Sequence, residues 1–367
     1  MIPWLVIGAG PHGVRAATAL AERHGADAVH VVDPHHEPLV RWERQRRSLG
    51  MRRLRSPWVH HCGDRAGELR AFAPSRSGTW TPPVEVFEDH ARQRWAHSGV
   101  RQRQGVVVGL RREGRGWRVG LADGGSLHAT RVVAAPGLAP HARAVPEGVH
   151  RVPSDAPPQG WEVAGRRVAV IGGGHSAATA ALSLLEVGAA RVDLLAPGGL
   201  RTQQTDVDPG WFGPKHLRDF WRADVPTRWA QLAASRVASV TPSMRGALDR
   251  ARQAGSLRLR PVRVLDAHAT AEGSAVHLRG TLADDRAVVL GPYARAFAAT
   301  GFAVSVRNVP WLARLDLPTL GGLPCLDRRL AAAPRLHVLG ALAELELGPA
   351  GRNLWGAMRA AERLVEV

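Results

Sequence analysis

Cysteine is scarce in this 367-residue chain, which contains only Cys62 and Cys325. The two residues lie far apart and form no Cys-x-x-Cys pair, which excludes a disulfide framework and a local dithiol redox motif. Any redox chemistry must therefore come from a bound cofactor.

Long hydrophobic runs are also missing. No apolar stretch approaches the roughly 18 residues that a membrane span requires, and the short run from Trp4 to Ala9 has neither a basic prelude nor a cleavage site. We therefore expect a cytoplasmic protein without a membrane partner. Apolar residues make up 45% and charged residues 22% of the chain, and its length predicts two to three globular domains.

Acidic residues are outnumbered, 32 against 49 basic ones, so the formal net charge is +17. Nearly all of the basic residues are Arg, and the densest group comprises Arg41, Arg44, Arg46, Arg47, Arg52, Arg53 and Arg55. This group is either an ordinary solvated surface or a local field that attracts anionic cofactors or substrates. The sequence has no zinc-finger spacing and no RNA-binding aromatic signature, which makes nucleic acid the less expected partner.

The first 33 residues predict a dinucleotide-binding unit. A strand (Trp4 to Ile7) is followed by a glycine turn, a helix (Val14 to Arg23) and a second strand that ends at Asp33. The turn consists of Gly8, Ala9, Gly10, Pro11, His12 and Gly13. Its glycines permit a tight turn, a close approach of the backbone to a pyrophosphate, and close packing of the helix on the strand. Asp33, at the end of the second strand, is placed to bind a ribose.

The same unit returns at Arg167 to Leu195. A strand precedes the turn formed by Gly172, Gly173, Gly174, His175, Ser176 and Ala177, and a helix and a second strand follow it. This second strand ends in Ala196 and Pro197 without an acid, and Arg201 lies just beyond it. Since no carboxylate would repel a 2′-phosphate there, the second site is predicted to favour NADP over NAD.

The fold class predicted from these units is α/β, with two Rossmann-like dinucleotide-binding domains and a small antiparallel β meander over 106–134. We expect a FAD-binding domain formed by residues 1–155 and 290–367. The NADP-binding domain, residues 160–289, is inserted into it and carries an aromatic, substrate-proximal segment around 203–254. A proline-rich linker is predicted from Pro140 to Trp161.

Two dinucleotide sites in one chain indicate that one cofactor is resident and the other delivers electrons to it, and FAD is the natural resident. The sequence resembles the two-dinucleotide-binding-domain flavoproteins. Within them it resembles the flavin-containing and N-hydroxylating (ornithine and lysine N-hydroxylase-like) class B monooxygenases. The two turns carry this resemblance, together with Val133 to Gly137, the Ala299-Thr300-Gly301-Phe302 motif, and the segment from Leu339 and Gly340 to Asn353.

This resemblance implies an FAD- and NADPH-dependent monooxygenase that hydroxylates an amine nitrogen of a small metabolite through a C4a-hydroperoxyflavin, with molecular oxygen as co-substrate. The alternatives are a reductase or oxidase of the same fold, a carbonyl-inserting (Baeyer–Villiger-type) monooxygenase, and a non-catalytic flavoprotein that binds nucleic acid or a partner through its basic surface. No metal is expected, because adjacent residues such as His60, His61 and Cys62 rarely bind one ion.

The resemblance also places candidate residues near the cofactors. The cofactor-binding residues are Gly8, Gly10, Pro11, His12, Gly13, Asp33, Met51, Trp58, Gly137, Gly172, Gly174, His175, Ser176, Ala177, Arg201, Thr300, Gly301 and Gly340. The catalytic candidates are Arg53, Arg55, His60, His61 and Asn353. A His with a near-neutral pKa would deprotonate the amine, whereas an Arg cation would stabilise the anionic peroxide that carbonyl insertion requires. Trp211, Trp221 and Trp229 form either a substrate wall or part of the core.

Overall fold

The computed structural model describes residues 1–73, 78–137, 139–140, 145, 148–152, 162–270 and 275–367. Most of the predicted linker from Pro140 to Trp161 lies outside these residues. In the described part of the chain, no helix is both long enough and apolar enough to cross a membrane.

The strands follow one another along the whole chain. In order, they are β1 (Ile2–Ile7), β2 (Val29–Asp33), β3 (Arg101–Gln104), β4 (Val107–Glu113), β5 (Gly116–Leu121), β6 (Ser126–Ala134), β7 (Ala139–Pro140), β8 (Val149–Arg151), β9 (Arg167–Ile171), β10 (Arg191–Leu195), β11 (Arg201–Thr202), β12 (Ser239–Val240), β13 (Leu257–Arg260), β14 (Arg263–Ala269), β15 (Val276–Thr281), β16 (Ala287–Tyr293), β17 (Arg295–Ala298), β18 (Phe302–Ala303), β19 (Thr319–Leu320), β20 (Leu323–Pro324), β21 (Ala331–Ala333) and β22 (Leu336–Val338).

The α-helices connect these strands. They are α1 (Pro11–His24), α2 (Val40–Leu49), α3 (Glu68–Phe72), α4 (Val84–Ser98), α5 (His175–Glu186), α6 (Pro214–Arg222), α7 (Val225–Ser235), α8 (Pro242–Gln253), α9 (Pro310–Ala313), α10 (Glu344–Leu347) and α11 (Leu354–Leu364). Short 3₁₀ helices cover Ala26–Ala28, Pro209–Phe212, Val306–Asn308, Gly340–Ala343 and Pro349–Arg352.

The first sheet has the strand order β21-β22-β6-β1-β2-β3, and β4 and β5 continue from β6 as an antiparallel meander. Strand β1 lies between β2 and β6 and is parallel to both. It carries four consecutive buried residues, Trp4 to Ile7, because helices or aromatic side chains cover both faces of a parallel sheet. This sheet confirms the predicted first dinucleotide unit and the predicted meander.

The second sheet has the order β13-β10-β9-β17-β8, and all of its strand pairs are parallel. The separate antiparallel sheet β14-β15-β16 packs against it around Tyr293. The fold class is therefore the predicted one: α/β, with two Rossmann-like units and small antiparallel sheets.

The extent of the second sheet differs from the predicted domain limits. Strands β8 (Val149–Arg151) and β17 (Arg295–Ala298) belong to it, although both ranges were assigned to the FAD domain. Each of these strands has only three or four residues. Such short apolar runs do not reveal which of two sheets they join, because pairing depends on contacts that are distant in sequence.

The aromatic segment around 203–254 is divided between the two domains. Leu217, Phe220 and Leu232 are buried in the same core as Leu5 and Leu336 of the first sheet. In contrast, Val240 and Leu248 lie in the core of the second domain. Helices α6 and α7 of this segment therefore dock on the first domain, whereas β12 and α8 pack in the second domain.

Candidate cofactor cleft and active site

The first glycine turn connects β1 to α1. The Gly8 N–H donates to the Val32 carbonyl at 2.8 Å, and Gly8 has a φ of +104°. A Cβ on Gly8 would clash with the Ala135 carbonyl oxygen, and one on Gly13 would clash with the Gly8 carbonyl oxygen. A Cβ on Gly10, however, would have no atom within 4 Å. The protein itself therefore does not require glycine at position 10, whereas a pyrophosphate lying on the start of α1 does, which fits FAD.

Asp33 stands at the end of β2, as predicted. Its Oδ2 accepts from the Ala9 N–H at 2.8 Å, and its Oδ1 accepts from the His35 N–H at 2.9 Å and lies 2.9 Å from His35 Nδ1. The carboxylate thus fixes the turn and retains lone pairs for a ribose. Its role as the ribose ligand stays a prediction.

Three other predicted cofactor residues gather at this turn. Gly340 follows β22, and a Cβ placed on it would lie 3.9 Å from the His12 ring. Nε2 of His12 lies 3.2 Å from the Arg352 carbonyl oxygen, and burial lowers the pKa of His12 to about 4. Gly137, just beyond β6, lies beside the guanidinium of Arg41. The turn, the end of β6 and the C-terminal segment thus meet, although they are more than 100 residues apart in the chain.

The second glycine turn connects β9 to α5. Gly172 donates to the Leu195 carbonyl at 2.9 Å, and a Cβ on it would clash with the Ala299 carbonyl oxygen. Ala177 is buried, and no side chain caps the start of α5, so its N–H groups are available to a ligand. Ser176 lies in this first turn of α5, whereas Thr300 and Gly301 follow β17 beside Ala299 and are exposed.

A cleft of about 500 Å³ opens at the start of α5. From the first domain it is lined by Met51, Arg53 and Trp80, and from the second by His175 and Met244. His175 Nδ1 is buried and has no hydrogen-bond partner among the residues that the structure describes. Burial and the charge of Arg55 lower the pKa of His175 to about 4. An orphaned polar atom beside a free helix N-terminus fits a bound dinucleotide phosphate or amide group.

Arg201 lies on β11 and is exposed, and the structure shows no ion pair for it within the described ranges. It follows the end of β10, where Leu195, Ala196 and Pro197 carry no acidic side chain. Its role towards a 2′-phosphate stays a prediction.

Arg55 links the two domains. Its guanidinium donates to the carbonyl oxygens of Gln203 (2.8 Å), Thr205 (2.6 Å) and Ser239 (3.2 Å), and to the Ser239 hydroxyl (2.9 Å). Burial lowers the pKa of Arg55, and the charge of Asp206 opposes that effect. With its donors directed at the backbone of the second domain, Arg55 is a structural contact. The predicted role in stabilising a peroxide would require it to release these acceptors.

Arg53 and Trp58 support the loop from Thr79 to Thr81. The Arg53 guanidinium donates to the Thr79 hydroxyl and to the Thr81 carbonyl oxygen. Trp58 is buried, and its Nε1–H donates to the Thr79 carbonyl oxygen at 2.8 Å. Of the residues predicted near the flavin in this stretch, Met51 and Arg53 line the cleft, and Trp58 contacts it only through its hydrogen bond to Thr79.

His60 and His61 are both buried. Burial lowers the pKa of His60 to about 4, so the imidazole is neutral at neutral pH and is a weak base. Nδ1 of His61 accepts from the Gly63 N–H at 2.9 Å, and its pKa is also lowered by burial. The near-neutral pKa that amine deprotonation would need is therefore not found at His60, and burial shifts the pKa of His61 in the same direction.

Asn353 caps α11: its Oδ1 accepts from the Gly356 N–H at 3.3 Å, and its Nδ2 donates to Asp206 at 3.2 Å. Next to it, Phe212 lies 6.1 Å from the Trp355 ring and 5.0 Å from the His60 ring, centroid to centroid. These three rings, His60, Phe212 and Trp355, are called the aromatic wall below. Trp211, Trp221 and Trp229, which the sequence offered as a substrate wall or as core, pack against the same hydrophobic core as Trp355.

Both cysteines are free, and Cys62 is buried. Burial raises the pKa of the Cys62 thiol to about 12, so it is not a reactive thiolate. Within the described residues, no group of three His, Cys, Asp or Glu side chains has the arrangement of a metal site.

A family model described as pyridine nucleotide-disulphide oxidoreductase matches residues 5–246, about two-thirds of the chain. The chain belongs to this family. Membership confirms the predicted oxidoreductase and its two cofactors, FAD and NADPH. No curated protein matches the sequence.

Solved structures of three other proteins share the fold across nearly the whole chain. An ornithine N-hydroxylase from Kutzneria sp. 744 is 18% identical, with a TM-score of 0.80 over 100% of this chain and 98% of its own. An ornithine hydroxylase from Pseudomonas aeruginosa is 19% identical, with a TM-score of 0.75 over 99% and 98%. A bacillithiol disulfide reductase from Bacillus cereus is 18% identical, with a TM-score of 0.70 over 99% and 97%. At these identities the likeness establishes the common fold, which agrees with the predicted resemblance.

Proposed function

We propose that the protein is an NADPH-dependent FAD monooxygenase that transfers one oxygen atom of O₂ to an amine nitrogen of a small molecule. FAD would lie on the first glycine turn, and NADPH would lie on the second turn with its 2′-phosphate near Arg201. When bound and reduced, the flavin supplies the activation of oxygen, and the protein supplies binding, orientation and the exclusion of water.

The aromatic wall beside Asn353 is the observation that carries this proposal. His60 is neutral at neutral pH because burial lowers its pKa to about 4, and Phe212 and Trp355 carry no charge. The wall adjoins Arg352, whose carbonyl oxygen accepts from His12 in the first turn. With the flavin bound on the first turn, a neutral, poorly hydrated wall of this kind would protect a reactive oxygen species from water and proton exchange.

The aromatic wall would also affect the protonation state of the amine. Desolvation disfavours the charged form of an ammonium group and lowers its pKa. An amine held against these rings therefore presents its free lone pair without a strong base among its neighbours. The proposal therefore does not require His60 or His61 to act as the base.

Two observations count against the competing reactions. A dithiol-type disulfide reductase needs a reactive pair of thiols, but the chain has no Cys-x-x-Cys pair and burial raises the pKa of Cys62 to about 12. Carbonyl insertion needs a cation that can approach the flavin, but the Arg55 guanidinium is held by backbone and hydroxyl oxygens of Gln203, Thr205 and Ser239. Among the structures of like fold, the ornithine hydroxylases support an amine substrate.

The test is product analysis with ¹⁸O₂ and NADPH on a panel of diamines, basic amino acids, sulfides and ketones. We expect one labelled oxygen on the nitrogen of an amine, with NADPH consumed in proportion to product. Label found only in esters formed from ketones would indicate carbonyl insertion instead. Peroxide released in proportion to NADPH, without label in any organic product, would indicate an oxidase.

A further inference from the structure

Trp80 is the most exposed tryptophan side chain in the described part of the chain, with 56% of its surface accessible. A large apolar ring in water is unfavourable, and such exposure in a cleft is typical of a ligand-binding surface. Trp80 lines the cleft at the start of α5 together with Met51 and His175.

The backbone on both sides of Trp80 is fixed from beneath. Thr79 accepts from Trp58 Nε1–H at 2.8 Å, and both Thr79 and Thr81 accept from the Arg53 guanidinium. The isolated bridge between Arg53 and Pro83 holds the following residues as well. The indole therefore projects from an ordered support, so little conformational entropy is lost when a ligand packs on it.

The opposite side of the cleft indicates which ligand the indole meets. It contains His175 in the first turn of α5, with its unpartnered Nδ1, and Thr179 one turn later. A dinucleotide whose phosphates lie on this helix N-terminus has a planar ring at each end. Trp80 lines the same cleft as this helix N-terminus, so its indole offers one of these rings an apolar surface on which to stack.

We infer that Trp80 is a stacking platform for a planar ring of the pyridine nucleotide, either the nicotinamide or the adenine. The inference rests on the proposed binding of NADPH at the second turn. Stacking of a base on an aromatic side chain contributes roughly 1–3 kcal/mol, which corresponds to about 5- to 150-fold in Kd.

The test measures NADP⁺ binding to the oxidised, FAD-loaded protein by calorimetry. We expect Trp80→Ala to raise the Kd by about tenfold or more, and Trp80→Phe, which keeps a stacking ring, to stay within about threefold of the parent. Val59→Ala is the matched control, since Val59 is an exposed apolar residue of the same domain that does not line the cleft. Thermal unfolding and FAD content verify that the variants are folded.

Two fragments identify the ring. If nicotinamide mononucleotide loses affinity in Trp80→Ala and 2′,5′-ADP does not, the nicotinamide stacks on Trp80; the reverse result assigns the adenine. An unchanged Kd for NADP⁺ and both fragments overturns the inference, and so does an effect confined to the KM of the amine. Failure of the unmodified protein to bind NADP⁺ would instead refute the proposed cofactor site.

Discussion

Gly10→Ala separates what the fold needs from what the cofactor needs. Gly10 has a φ of −74° and a ψ of −179°, an extended conformation that alanine adopts readily, and a Cβ there would have no atom within 4 Å. We therefore expect the free energy of unfolding of the cofactor-free variant to lie within about 1 kcal/mol of the parent value. The substitution changes only the N-cap residue of α1, where glycine and alanine differ little in stability.

FAD binding should nevertheless be lost. The added methyl group occupies the space through which a pyrophosphate approaches the start of α1. With free FAD at about 100 times its Kd, the parent gains about 2.7 kcal/mol of stability from binding, and Gly10→Ala should gain almost none. The measurement is urea unfolding with and without FAD, together with the flavin absorbance of the purified protein.

Gly13→Ala is the matched control. Its Cβ would lie closer than 3.0 Å to the Gly8 carbonyl oxygen, a rigid backbone atom, so this variant should be destabilised even without FAD, by about 1–3 kcal/mol. The reasoning is refuted if Gly10→Ala is recovered with a full complement of FAD. It is also refuted if the cofactor-free Gly10→Ala is as unstable as Gly13→Ala.

Three further changes test other parts of the site. Arg201→Ala should lower kcat/KM for NADPH by about 10- to 100-fold, because it removes a charged hydrogen bond to the 2′-phosphate that contributes roughly 1.5–3 kcal/mol. The kcat/KM for NADH should not change, and equal losses with both coenzymes would contradict the assignment. Arg55→Met should lower the unfolding free energy in urea by about 3 kcal/mol or more, because it leaves buried carbonyl groups between the domains without donors, whereas the exposed Arg53→Met should cost about 1 kcal/mol. The pKa of His60 is lowered to about 4 from its usual 6.5, so the unfolded state binds its proton first and stability falls as pH decreases through this range. Between pH 7 and pH 5, the free energy of unfolding of His60→Phe should therefore fall by about 2 kcal/mol less than that of the parent. An equal fall in both proteins would show that His60 is not a buried neutral group.

Local features of this protein can be recognised from its sequence. Each glycine turn is encoded within about six residues, because tight turns and close helix packing depend on the absence of a Cβ at particular positions. The adjoining strands are short buried runs, so their bounds were predicted within two residues, whereas the two helices begin three residues earlier than predicted. The absence of a Cys-x-x-Cys pair likewise excluded dithiol chemistry directly.

The tertiary structure decided which distant residues meet. Arg55 donates to carbonyl groups about 150 residues away, and Asn353 holds Asp206 across a similar separation. Whether Arg55 acts as a free cation or His60 as a base depends on these partners and on burial, since desolvation and hydrogen bonding set the charge that a side chain can carry. Trp80 is exposed in a cleft and Trp58 is buried beneath it, although both are tryptophans in aperiodic segments. Periodicity reports only contacts made within an element, and the active site is built from contacts between elements.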